Sequence, residues 1–156
     1  MTESNEPFFR FSLKTLCIWL VFIAVVGAGV VTGYVFWQMV MTVITLTMDC
    51  GAATLGMTFG NSQRVFFVGF VVFFVAHSFA SQDKLKWLNI RSEDLPTCLW
   101  IEAITITRYE LDMMSRPNMH ALRNRYKVTR NIGHQAASII VAAIAAYLMR
   151  AIYVYS

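Results

Sequence analysis

Charge is scarce in this sequence, and that scarcity excludes a soluble globular domain. Asp, Glu, Lys and Arg supply 14% of the 156 residues, where a soluble domain carries about 25%. Hydrophobic residues make up 57%, and the mean hydropathy is +0.54. Cysteine is scarce too. Cys17 and Cys50 lie inside apolar runs and Cys98 has no partner outside them, so no disulfide framework is expected and cysteine usage leaves the compartment open. The chain also lacks the constellations of soluble enzymes. Cys98 has no histidine near it in sequence, Gly27-Ala28-Gly29 sits within an apolar run, and no serine is paired with a base at a recognisable spacing. Internal repeats and low-complexity tracts are missing as well. The net charge of +4 comes from cations that flank apolar runs, the signature of phospholipid contact, and nucleic acid is not an expected partner.

Long apolar runs are what the sequence has in abundance. No charged residue occurs from Thr15 to Met48, and as one helix that run would reach roughly 50 Å, well beyond a hydrocarbon core of about 30 Å. A break is expected at Gly33-Tyr34, beside Trp37, because interfacial aromatics mark where a helix leaves the hydrocarbon. One long tilted helix is the alternative. Gly60-Asn61-Ser62-Gln63-Arg64 then reads as a tight polar reversal before the apolar run Val65 to Ser81. The last run ends at Arg150, with Tyr147, Tyr153 and Tyr155 as its interfacial belt. The expectation is an all-α membrane protein of one domain. Its four transmembrane helices lie at about 15–33, 35–59, 65–81 and 133–152, with an extramembrane segment, 82–132, between helices 3 and 4. A cleaved signal peptide is not expected, since the first apolar run far outlasts an h-region.

Small residues recur every four positions in three of these helices: Gly29 and Gly33; Ala52, Gly56 and Gly60; Ser138, Ala142 and Ala146. Such stripes let backbones approach closely, although glycine and alanine are frequent in membrane helices in any case.

Asp83 to Arg130 holds six of the nine acids and nine of the thirteen bases. Ser92-Glu93-Asp94-Leu95-Pro96 suits a helix start, and Leu99, Trp100, Ile101, Ile104 and Ile106 supply apolar surface for a helix lying on the membrane. Arg116-Pro117-Asn118 ends it, and the stretch up to Arg130 reads as a short helix or loop. Within that stretch Arg123, Arg125, Lys127 and Arg130 form a basic cluster, with Arg123, Lys127 and Arg130 on one helical face, suited to phospholipid headgroups.

Three motifs in this order, Phe9-Arg10-Phe11-Ser12-Leu13-Lys14-Thr15-Leu16, Gln63-Arg64-Val65-Phe66-Phe67-Val68-Gly69-Phe70 and Ile132-Gly133-His134, make the chain resemble a set of small, uncharacterised integral membrane proteins of planctomycete bacteria. The resemblance implies a multi-pass protein of the bacterial cytoplasmic membrane with a cytoplasmic N-terminus, and it implies no activity. Counting bases alone favours the opposite orientation, because the nine of Asp83 to Arg130 fall in one short segment.

Two places carry candidate chemistry. Asp49 lies near the middle of the second span, and an intramembrane carboxylate is a candidate proton or cation relay; its structural reading is a neutral carboxyl hydrogen-bonded to Thr45 one turn away or to a neighbouring helix. His77 and His134 fall at matching depth, near the end of the third span and the start of the fourth. Two facing imidazoles can ligate haem, or a divalent metal with Glu102 or His120. Phe73, Phe74 and Phe79 crowd His77, however, and an interfacial histidine bonded to carbonyls or headgroups is the simpler expectation, with no cofactor. The function expected is therefore non-catalytic: a subunit or lipid-organising component of a larger membrane assembly, with membrane lipids and a membrane-protein partner or a second copy as its contacts. A membrane redox or ion-handling protein built on His77/His134 or Asp49 is the alternative.

Overall fold

The computed structural model describes residues 13–82, 95–115 and 119–155. The expected N-terminal tail, the Ser92-Glu93-Asp94 helix start and the Arg116-Pro117-Asn118 helix end lie outside them. Among the described residues the chain is entirely helical, with α1 Leu13–Thr32, α2 Val35–Thr58, α3 Asn61–Ser81, α4 Pro96–Ser115 and α5 Met119–Tyr155. Three helices, α2, α3 and α5, are long and apolar enough to cross a membrane; α1 contributes a shorter apolar stretch, Leu16–Thr32.

The long uncharged run divides where a glycine is needed. Gly33 adopts φ +62°, a left-handed conformation that costs an L-residue about 1–2 kcal/mol. Its N–H still donates to Gly29 O at 2.9 Å, and α2 opens with Trp37 N donating to Tyr34 O. The single tilted helix is thereby replaced by two. The second reversal is tighter than expected. Only Phe59 and Gly60 separate α2 from α3, so the polar residues Asn61 to Arg64 form the first turn of α3 and not a loop.

Every other helix touches α5. Ile132, Ile139, Ala142 and Ala146 of α5 and Met41 of α2 are fully enclosed, joined by Phe22, Ala52, Phe70, Val128 and Ala136. The small-residue stripes do the packing. Ser138, Ala142 and Ala146 are buried, as are Ala52 and Gly56, while Gly60 is exposed at the turn. A Cβ on Gly69 would stand 3.4 Å from Ala146 Cα, and one on Gly29 only 2.9 Å from Ile132 Cδ1.

The segment before the last span differs most from expectation. Met119 to Arg130 is neither a short helix nor a loop but the first third of α5, whose 37 residues extend about 55 Å. α4 runs antiparallel beside this part of α5. Ile101 packs on Gly133, where a Cβ would meet Ile101 Cγ2 at 2.8 Å. Glu102 pairs with Arg130, and Tyr109 meets Tyr126 edge-on at 5.5 Å. Arg108 donates to Val31 O, one of the last carbonyls of α1 and therefore without a partner in its own helix. Of the apolar residues read as a membrane-lying face, Ile101 points to α5, whereas Leu99, Trp100, Ile104 and Ile106 are exposed.

Gly33→Ala should lower the unfolding free energy in detergent by about 1–2 kcal/mol, the penalty of a left-handed alanine. Gly27→Ala, whose Cβ would find nothing within 4 Å, should be neutral or slightly stabilising. Thermal denaturation of both variants checks the pair.

Candidate functional site

Four helix segments converge at the end of the bundle that carries the α4–α5 hairpin. α3 brings His77, Ser78, Ser81 and Gln82 in its last turn and cap, α2 brings Gln38 and Thr42 in its first turns, and α4 brings Thr97, Cys98 and Glu102. Along α5, Arg130, His134 and Ser138 recur every four residues, with Asn131 and Gln135 one position on, which makes one polar stripe at the start of the expected last span.

His77 is buried and held from both sides. Its Nδ1 lies 2.9 Å from Ser138 Oγ and its Nε2 2.8 Å from Thr97 Oγ1. The Ser138 hydroxyl donates to His134 O at 2.9 Å, so its oxygen accepts from His77. A neutral His77 then carries its proton on Nδ1 and accepts from the Thr97 hydroxyl at Nε2. One imidazole thus ties α3 to α4 and α5 with every ring nitrogen used. His134 lies beside it on α5, its Nδ1 3.6 Å from Cys98 Sγ, while its Nε2 is buried with no hydrogen-bond partner.

A cavity of about 550 Å³ opens beside this network between α2, α3 and α5. Gln38, Ser78, Ser81 and Gln82 form two of its walls. Arg130, Asn131, His134, Gln135 and Ser138 form the third. Gln135 Nε2 donates to Thr42 Oγ1 at 3.1 Å, and that hydroxyl donates in turn to Gln38 O. Gln135 Oε1 and Arg130 Nε have no partner.

The structure therefore brings His77 and His134 into one network but not into a pair presenting free nitrogens to a common metal. Ligation by His77 requires one hydroxyl to give up a ring nitrogen. Glu102 is committed to Arg130. His120, exposed in the first turn of α5, stands about 21 Å along the helix from His134. Among the described residues no three His, Cys, Asp or Glu side chains gather to hold a metal ion.

The other candidates lie elsewhere. Asp49 is partly buried on α2, about 16 Å along the helix from Gln38, and its Oδ1 has no partner. The expected bond to Thr45 is not formed; the Thr45 hydroxyl donates to Met41 O at 2.7 Å, an acceptor within its own helix that is always in reach. The basic cluster divides. Arg123 and Lys127 are exposed, Arg125 lies 5.6 Å over the Tyr34 ring beside Gly33, and Arg130 turns to Glu102 and the cavity. Thr97, Gln38 and Gln135 belong to the site without having been singled out from sequence, and Ser138 was singled out only as a member of a small-residue stripe. The usable signal was the polar stripe inside an apolar run, in which Ser138 reads equally well as a small packing residue.

No family model, curated protein or solved structure matches the chain.

Ser138→Ala strands the His77 Nδ1–H in a buried site and should cost about 1–3 kcal/mol of stability, the usual penalty for an orphaned donor. Thr107→Ala should cost far less, because that exposed hydroxyl bonds only to its own helix at Ala103 O. Thermal unfolding in one detergent compares the two. Asp49→Asn should leave accumulation in the membrane unchanged, since the amide matches the carboxyl in size and carries no charge, and no hydrogen bond to Asp49 Oδ1 is lost. Asp49→Lys should reduce accumulation, because a central lysine costs about 2.5–3.5 kcal/mol on insertion scales. Immunoblots of membrane fractions read both.

Proposed function

We propose that the chain is a non-catalytic, four-span protein of the bacterial cytoplasmic membrane that serves as a small component of a larger membrane assembly, with both termini in the cytoplasm. Support for α1 as the fourth span comes from its course. It lies along the apolar part of α5, from Trp19 near Ile139 and Ala143 to Gly33 beside Arg125 and Thr129. The α4–α5 hairpin then stands on the outer side, at the end where α1 finishes.

The observation that carries the assembly reading is the inverted amphipathicity of α4. Its polar and charged positions Thr97, Glu102, Thr105 and Arg108 turn inward, Thr97 to α3, Glu102 to α5 and Arg108 to α1, with Thr105 buried. Trp100, Ile104, Leu111 and Met114, spaced at helical intervals, are 57–86% exposed. A helix outside the hydrocarbon that turns its apolar side away from its own protein suits a protein contact, because water alone would favour the opposite arrangement. A redox or ion-handling role has less support, since both nitrogens of His77 are occupied by hydroxyls and Asp49 lies apart from the polar cavity.

Single cysteines test this in a Cys17→Ser, Cys50→Ser background; Cys98, 1% exposed, stays silent. In intact cells Ala121→Cys, on the polar side of the hairpin, should react with an impermeant maleimide, whereas Ile104→Cys should be shielded until detergent releases the partner. Equal labelling of the two would remove the assembly reading, and labelling of Ala121→Cys only after lysis would reverse the orientation.

A further inference from the structure

The cavity between α2, α3 and α5 has a volume of about 550 Å³, well inside the range of small-ligand sites, about 300–1,000 Å³. Every described residue lining it is polar, Arg130 alone carries a full charge, and no described carboxylate faces it. Three atoms of its wall residues, closed to water as the side chains stand, lack partners: Arg130 Nε, His134 Nε2 and Gln135 Oε1. Buried polar groups left in that state destabilise a fold unless something else bonds to them. The depth of the cavity narrows what that is. It spans the first turn of α2 and the last of α3, next to Tyr34 and Trp37, at the level where headgroups meet the hydrocarbon.

We infer that this chamber binds a glycerol-phosphate group, supplied by an anionic phospholipid with free headgroup hydroxyls such as phosphatidylglycerol. The phosphate sits at Arg130, the one cation among the described residues lining the chamber, whose guanidinium is bonded to Glu102 alone. Hydroxyls act as both donor and acceptor, which matches a wall that carries the amides of Gln38 and Asn131 and the hydroxyls of Ser78 and Ser81. A choline headgroup fits poorly, because a quaternary ammonium seeks carboxylates or aromatic faces and the described lining offers neither. This inference stands apart from the assembly reading, which concerns the opposite side of α4.

The test uses the full chain purified in neutral detergent, titrated with phosphatidylglycerol, phosphatidylcholine or glycerol phosphate, with retained ligand read by native mass spectrometry. Phosphatidylglycerol should be retained at concentrations about tenfold below phosphatidylcholine, and Arg130→Gln should abolish that preference, the scale of one lost hydrogen bond to a charged group. Glu102→Gln breaks the same ion pair but leaves the guanidinium, and should keep the preference; if the two variants lose it alike, the pair is merely structural and the inference fails. Asn131→Leu changes the chamber without touching the pair and should weaken phosphatidylglycerol retention several-fold, so a folding defect in Arg130→Gln does not leave the question open. Equal retention of the two lipids overturns the inference, as does loss of the preference in Arg123→Gln or Lys127→Gln on the exposed face. Tighter binding of glycerol phosphate than of phosphatidylglycerol overturns the lipid source in favour of a soluble phosphate ester.

Discussion

In hydrocarbon two apolar side chains gain nothing by leaving their solvent for each other, so apolar helices hold together only as well as their backbones can approach. That constraint makes α5 the centre of this molecule. Ala142 and Ala146 are fully enclosed, and Gly69 of α3 lies so near Ala146 that a Cβ there would already be in contact with its backbone at 3.4 Å. Gly29 of α1 lies as close to the tip of the Ile132 side chain. All four other helices reach α5, so loosening this seam loosens everything.

Toward the hairpin end the packing changes character. Small residues give way to a polar stripe on the same helix, and side-chain hydrogen bonds replace close backbone contact as the link between helices. His77 bridges to Ser138 and Thr97, Gln135 to Thr42, and Arg130 to Glu102. Each bond joins helices distant in sequence, and together they hold three walls far enough apart to leave a chamber. The cavity is thus the space left where close approach ends and polar cross-links begin.

The features legible in sequence were those that depend on where the chain meets the hydrocarbon boundary. Gly33 beside Tyr34 and Trp37 announced a break because both the length of the apolar run and the aromatic position required one. The common depth of His77 and His134 followed from counting along helices. Their partners did not, because Thr97 and Ser138 lie 20 and 61 residues from His77, and depth says nothing about the direction in which a side chain faces. The charges of Arg123 to Arg130 precede the last apolar run and were read as a short helix or loop separate from it; α5 continues through them because nothing between Met119 and Tyr155 interrupts a helical backbone. The apolar pattern of α4 likewise identified a face that avoids water without identifying what would cover it.

The unbroken course of α5 makes the hairpin and the membrane bundle mechanically one body. Between Tyr126, against which α4 leans, and Ser138, which holds His77, the helical backbone runs without a break. A displacement of the hairpin is therefore passed along α5 to Ser138 and on toward the Ala146–Gly69 contact, with no loop in between. The chamber and the α4 contact thus share one backbone, and a change at either is felt through the same helix.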